Sequence, residues 1–236
     1  MQLNCVSFNV LADDYLTDGD YRHVQPDLLK PGARTPHMLR TIADLRADVV
    51  GLQEVEFAVA AAFAATGNWQ TLWSPKRNSK PDGCLTLVKR GIFVTDFATY
   101  AYDDGTSHLM QLVIIDDVAF ANTHIIWAPA DTPDHPGVSQ TRKLLERLSE
   151  WPRAVIFADC NDRPGGPVRA LVEAAGFNNV CGDEPTARIG DELAALDIIA
   201  VRGIHAERIA TAAPDDIPNT TCPSDHIPVM ARVETT

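Results

Sequence analysis

Long apolar runs are missing from these 236 residues, so no membrane-spanning helix is expected. Cysteine is sparse and badly spaced for a framework. The five residues Cys5, Cys84, Cys160, Cys181 and Cys222 are scattered and odd in number, with no CxxC pair, which argues against a zinc site or a disulfide scaffold and for a reducing compartment. Positive charge is also short: 20 Lys and Arg stand against 32 Asp and Glu, a net charge of −12 that disfavours a protein coating long nucleic acid by charge alone. The opening "MQLNCVSFNV" has neither a basic region nor a long apolar stretch, so no secretory signal and a cytoplasmic location are expected. No repeat, low-complexity tract or long linker interrupts the chain, and 45% hydrophobic with 22% charged residues is ordinary globular composition. Residues 1–236 are therefore expected to form a single domain.

What is present is an alternation of strand-like and helix-like segments. "QLNCVSFNVLA", "DVVGLQEV", "WQTLWS", "CLTLVKR", "IFVTDFATYAY", "HLMQLVIID", "VAFANTHIIW", "RAVIFAD", "LAALDIIAV", "GIHAERIAT" and "IPVMARVE" read as strands. "TPHMLRTIADLRA" carries a Thr-Pro start and helical spacing at Met38, Leu39, Ile42 and Leu45. "EFAVAAAFAATG", "SQTRKLLERLSEW" and "GPVRALVEAAG" read as three further helices, and residues 13–34 as a long polar loop. Helices falling between groups of strands imply an α/β domain with sheets at the centre and helices outside.

Strand after strand closes on a polar or acidic group. Asn9 ends the first and Glu54 the second; Asn122 and His124 sit in "FANTHII"; Asp159 and Asn161 follow "VIFA"; Asp197 lies in "LDIIAV"; Asp225 and His226 stand in "PSDHIPV". Each alone has a dull explanation as a turn, a strand edge or a bonded core histidine. Together they are harder to dismiss, because Asp197 is flanked by Leu196, Ile198 and Ile199, where a carboxylate is costly without a cation or donor beside it. Carboxylates, an amide and two imidazoles gathered from strand ends would make an oxygen-rich site suited to Mg²⁺ or Mn²⁺. Two basic stretches also stand out in an acidic chain: Arg22, Lys30, Arg34, Arg40 and Arg46, then Lys76, Arg77, Lys80, Lys89 and Arg90.

Seven ordered motifs resemble the endonuclease/exonuclease/phosphatase superfamily: "SFNVL", "GLQEV", "DGCLTLVK", "ANTHI", "ADCND", "LDIIAV" and "SDHIPV". "ADCND" departs from the family pattern in Ala158 and Cys160 but keeps both chemical side chains. "SFNVLADDYL", "YRH", "DGC", "GVSQTRKLLERL" and "PSDHIPVMARVE" are most similar to the deadenylase, Nocturnin and Angel branch, whose members act on RNA 3′ ends or small nucleotides, Angel-type members on 2′,3′-cyclic phosphates.

The resemblance implies a four-layer α-β-β-α sandwich with two central mixed sheets, and a Mg²⁺-dependent hydrolase of phosphate esters. It implies metal ligation by Glu54, with Asn9 and Asp225 completing or orienting the site. Asp159 would direct the attacking water, Asn161 would hold the phosphate or a second ion, His226 would bond the scissile phosphate with Asp197 on its far nitrogen, and His124 would donate to the phosphate. Arg34 is the favoured substrate-binding cation of the basic loops, beside Asn161 and His124. Three activities stay open: a phosphodiesterase on RNA ends or short oligonucleotides, a phosphatase of a small nucleotide, sugar phosphate or terminal RNA phosphate, and a binding module without catalysis. A monomer with no membrane partner is expected.

Overall fold

The computed structural model describes residues 1–77, 80–129, 132–211 and 216–235. In chain order the elements are β1 (Gln2–Asn9), α1 (Thr35–Asp44), β2 (Val49–Glu56), α2 (Phe57–Ala65), β3 (Trp69–Pro75), β4 (Asp82–Lys89), β5 (Asp96–Ala101), β6 (Leu109–Ile115), β7 (Val118–His124), α3 (Pro136–Leu148), β8 (Ala154–Asp159), α4 (Pro167–Ala174), β9 (Asn178–Asn179), β10 (Ala187–Ile189), β11 (Glu192–Ala194), β12 (Asp197–Arg202), β13 (Ala206–Ile209) and β14 (Val229–Glu234). One six-stranded sheet runs β13-β14-β1-β2-β4-β3 and a second runs β5-β6-β7-β8-β12-β9, with β10 and β11 forming a small ribbon. Both large sheets are mixed: β1 pairs parallel with β2 and β7 with β8, while their other neighbours are antiparallel.

The period-2 alternation of side chains explains the layering. In β1, Val6 and Phe8 join Met38, Ile42 and Phe63 under α1 and α2, while Leu3 and Cys5 join Phe120, Val155 and Phe157 between the sheets. In β8, Ile156 and Ala158 face Leu144, Leu148 and Val168 of α3 and α4, while Val155 and Phe157 face inward. Three apolar interfaces thus hold four layers, the α-β-β-α sandwich expected. Gly51 lies where the sheets approach closely; any Cβ there would come within 2.7 Å of Phe157.

Three local expectations shift. Residues 13–34 contain two 3₁₀ turns, Asp13–Thr17 and Pro26–Leu29. The segment read as one strand over 193–201 breaks, because the Thr186 hydroxyl takes the N–H groups of Leu196 and Asp197, leaving β11 to pair with β10. Helix α3 starts at Pro136, earlier than its apolar spacing suggests, because His135 accepts from Gly137 N–H at its first turn.

Candidate active site

The face between the sheets changes character along the strands. Beyond the apolar cluster, the inward positions Ser7, Gln53, Thr86, Gln111 and Asn122 are buried and bonded to one another across the two sheets. Gln53 Nε2 donates to Asn122 Oδ1 at 2.8 Å, and Thr86 Oγ1 donates to Gln111 Oε1 at 2.7 Å. Farther along the same face stand Asn9, His124, Asp159 and Asp197, all at least nine-tenths buried. Strict alternation would send Glu54 with Val50 and Leu52 toward the helices. A bulge in β2 between Leu52 and Val55, with Glu54 at φ 56°, turns its carboxylate to the site instead.

Two side-chain groups share Asp159. Ligand atoms of Glu54, His124 and Asp159 lie within 4.8 Å of one another, and those of Asp159, Asp197 and His226 do likewise. Asn9 Nδ2 bridges the carboxylates, donating to Glu54 Oε1 and Asp159 Oδ2 at 2.9 Å each. Its Oδ1 accepts from Leu11 N–H at 2.9 Å, so in this arrangement Asn9 orients both acids. Asp159 Oδ1 accepts from Asn161 N–H at 2.9 Å, and Asn161 Nδ2 lies 2.8 Å from His124 Nε2. Asp162, the last residue of "ADCND", accepts from Val168 and Arg169 N–H and caps α4. That stretch is therefore a site and a helix start at once.

The two imidazoles carry opposite charge tendencies. His226 Nδ1 sits 2.8 Å from Asp197 Oδ2, which also accepts from Thr186 Oγ1 at 2.7 Å. Burial works against an imidazolium at His226, but Asp197, Asp159 and Asp225 outweigh it and hold His226 well above its ordinary range. Burial, reinforced by Lys76, His108 and His226, holds His124 well below that range. Burial and the charge of Asp225 raise Glu54 to about 7, and burial raises Asp159 to about 6 against the pull of His226.

Two buried carboxylates pushed upward by burial, with an imidazole edge beside them, suit a hard divalent cation by donor chemistry, and the residues present fit one. Asp225 stands outside both groups; Tyr21 OH donates to its Oδ2 at 2.8 Å, and its charge acts on Glu54. The site opens into a cavity of about 600 Å³ bordered by Tyr15, Lys76, Lys80, His108 and Trp127.

Arg34 is a correction. Its guanidinium, 1% exposed, donates to the carbonyls of Val10 and Pro223 at 2.9 Å each and also to Leu11, and pairs with Asp13 at 2.6 Å. It braces the loop leaving β1 and has no face free for substrate. Arg22 pairs with exposed Asp20 and borders other grooves. Of the basic loops it is Lys76 and Lys80 that reach the cavity, Lys76 buried against Asp82 at 2.7 Å. Sequence reasoning missed Thr186, Gln111 and His108, whereas Lys76 and Lys80 belong to a basic stretch it had singled out. Gln111 was legible as a polar residue in the apolar run "HLMQLVIID", at the spacing of Val113 and Ile115; Thr186 carries no such signal.

The chain belongs to the Endonuclease/Exonuclease/phosphatase family, whose model matches residues 6–226. It is 25% identical over 221 residues to protein angel homolog 2 of Homo sapiens, an alignment covering 78% of this chain and 40% of that protein. The chain thus corresponds to about 40% of the length of that curated relative. A crystal structure of ANGEL2, described as a 2′,3′-cyclic phosphatase, superposes with a TM-score of 0.86 at 18% identity, covering 99% of this chain and 95% of that one. The human Nocturnin catalytic domain with bound sulfate gives 0.72 at 17% identity, covering 99% and 94%. Among the described residues no helix is long and apolar enough to cross a membrane.

Proposed function

We propose that this protein hydrolyses phosphate esters at RNA 3′ ends or on short oligonucleotides, with 2′,3′-cyclic phosphate ends as the first candidate substrate. The observation that carries the reading is the continuous chain Thr186–Asp197–His226–Asp159–Asn9–Glu54, ending at an open cavity that cations border. The ANGEL2 structure in complex with adenosine-2′,3′-vanadate supports the choice of substrate.

Glu54 and Asp159, oriented by Asn9, would hold a Mg²⁺ or Mn²⁺ ion. Such an ion supplies charge stabilisation for the pentavalent phosphate and its leaving oxygen. Asp159 directs a water at phosphorus and takes its proton; the water oxygen–phosphorus bond forms as the ribose oxygen–phosphorus bond breaks, the ribose oxygen takes a proton from solvent in the open cavity, and Asp159 afterwards gives its own to solvent. His226, kept as imidazolium by Asp197, presents Nε2–H to a non-bridging oxygen. Asn161 and neutral His124 flank the same phosphate from the cavity side.

The test is a panel of oligoribonucleotides with 3′-OH, 3′-phosphate and 2′,3′-cyclic ends beside free nucleotides and sugar phosphates, with products identified in Mg²⁺, Mn²⁺ and EDTA. Turnover of an RNA-end substrate that vanishes in EDTA is expected. Full activity in chelator, or turnover of sugar phosphates alone, would sink the reading.

A further inference from the structure

We infer that Trp127 is a stacking platform for the nucleobase next to the scissile phosphate, so that the site selects phosphate esters that carry a base at the reacting end. This rests on the phosphoesterase reading and deepens it, because that reading assigns no residue to the base.

Trp127 is 63% exposed, although a large aromatic side chain gains most from burial. Two other aromatics are exposed to a similar degree. Phe57 leans on Trp73, ring centroids 5.3 Å apart, and neither it nor Phe93 borders the active-site cavity. Trp127 does, three residues beyond His124 and in the same cavity as Glu54 and Asn161.

The two residues before it are anchored by their backbone donors. Ile125 N–H donates to Asp159 O at 3.0 Å, and Ile126 N–H donates to Gln140 Oε1 at 2.9 Å. Gln140 is in turn tied to Asp104 and to Thr106, which also borders the cavity. The chain that carries Trp127 is therefore tied to the carboxylate-bearing strand, and its indole borders the cavity that Glu54 also lines.

The rest of the cavity suits the ligand's other parts. His124 and Asn161 face the phosphate end, and Lys76 and Lys80 add positive charge. His108 also borders the cavity, its ring edge-on to that of His124 with centroids 5.5 Å apart. A cavity of about 600 Å³ accommodates one nucleotide, not a duplex. Aromatic stacking accepts any base, since every base has a π-face, so the platform would favour nucleotides over sugar phosphates without reading sequence.

The experiment compares the wild type with Trp127→Ala and Trp127→Phe on two oligoribonucleotides ending in a 2′,3′-cyclic phosphate, one with a normal terminal base and one abasic at that residue. Stacking predicts that Trp127→Ala lowers kcat/KM roughly 5- to 150-fold on the base-bearing end, chiefly through KM. Trp127→Phe should retain most of the activity, and all three proteins should treat the abasic end alike. Equal losses on both substrates would assign Trp127 a structural role, and no loss on either would remove it from recognition; both overturn the inference. A second readout needs no turnover. Adenosine monophosphate should quench wild-type tryptophan emission and leave Trp127→Phe, which keeps Trp69, Trp73 and Trp151, unquenched. If the wild type hydrolyses neither substrate, the proposed function fails, and the quench alone then decides for or against the platform.

Discussion

The layer between the two sheets has two ends built on one pattern. At one end Leu3, Cys5, Val113, Phe120, Val155, Phe157 and Ile199 form a dry cluster. At the other, the same inward positions of the same strands carry Asn9, Asn122, His124, Asp159 and Asp197. Burial is nearly complete at both ends, but its consequences differ. Apolar burial lowers the free energy of the fold directly. Burial of acids raises Glu54 to about 7 and Asp159 to about 6, a cost carried by the fold and available to a bound cation. Between them the Gln53–Asn122–Gln111–Thr86 network makes the transition without leaving most polar groups unpaired.

The largest effect should come from breaking the polar end at its acid–histidine pair. Asp197→Asn and His226→Ala should each lower kcat by roughly 10²- to 10⁴-fold, and the double variant should cost little more than the worse single. Multiplicative losses in steady-state kinetics would mean that the two side chains act separately. The mirror experiment is at the dry end. Phe157→Ala should destabilise by about 3–5 kcal/mol in urea melts, while the folded fraction keeps its turnover number. A large kcat loss there would dissolve the contrast between the two ends.

The next effect follows from pH. Both raised carboxyls favour the metal-free fold when protonated; that contribution is present at acid pH and lost as pH rises through about 6 for Asp159 and about 7 for Glu54. A divalent ion competes with those protons, so Mn²⁺ affinity by calorimetry should climb from pH 5 to 8, and the gain in Tm on adding Mn²⁺ should grow with it. A Tm gain independent of pH would place the ion elsewhere.

Arg34→Met should act on the brace under the polar end rather than on the phosphate. A stability loss of about 3 kcal/mol is expected from a broken buried pair, with KM nearly unchanged. A raised KM with intact stability would restore Arg34 to the substrate. The smallest effect is expected from salt. With only Lys76 and Lys80 of the basic loops at the cavity, log(kcat/KM) on a short oligoribonucleotide should fall against log[salt] with a slope no steeper than about −2.

The order of strands and helices was legible because period-2 and period-3.6 patterns are local, and the four-layer arrangement because it is what a resembling family adopts. Asn9, Glu54, His124, Asp159, Asp197 and His226 were legible as polar groups closing apolar strands, which a chain does not keep buried without a reason. Arg34 was misread because a guanidinium's partners are chosen in space: Val10 and Pro223 carbonyls, 24 and 189 residues away along the chain, reached it first. Thr186 was invisible for the same reason. The sequence by itself determined which side chains are bound for the inner face, since alternation along a strand needs no knowledge of its neighbours. Only the tertiary structure decided that Glu54 leaves its expected face through a bulge, that His226 is bonded to Asp197 while His124 has Lys76 beside it, and that Trp127 stands at the cavity. Coulomb and desolvation energies depend on distances between chain segments far apart in sequence, and those distances exist only once both sheets have packed.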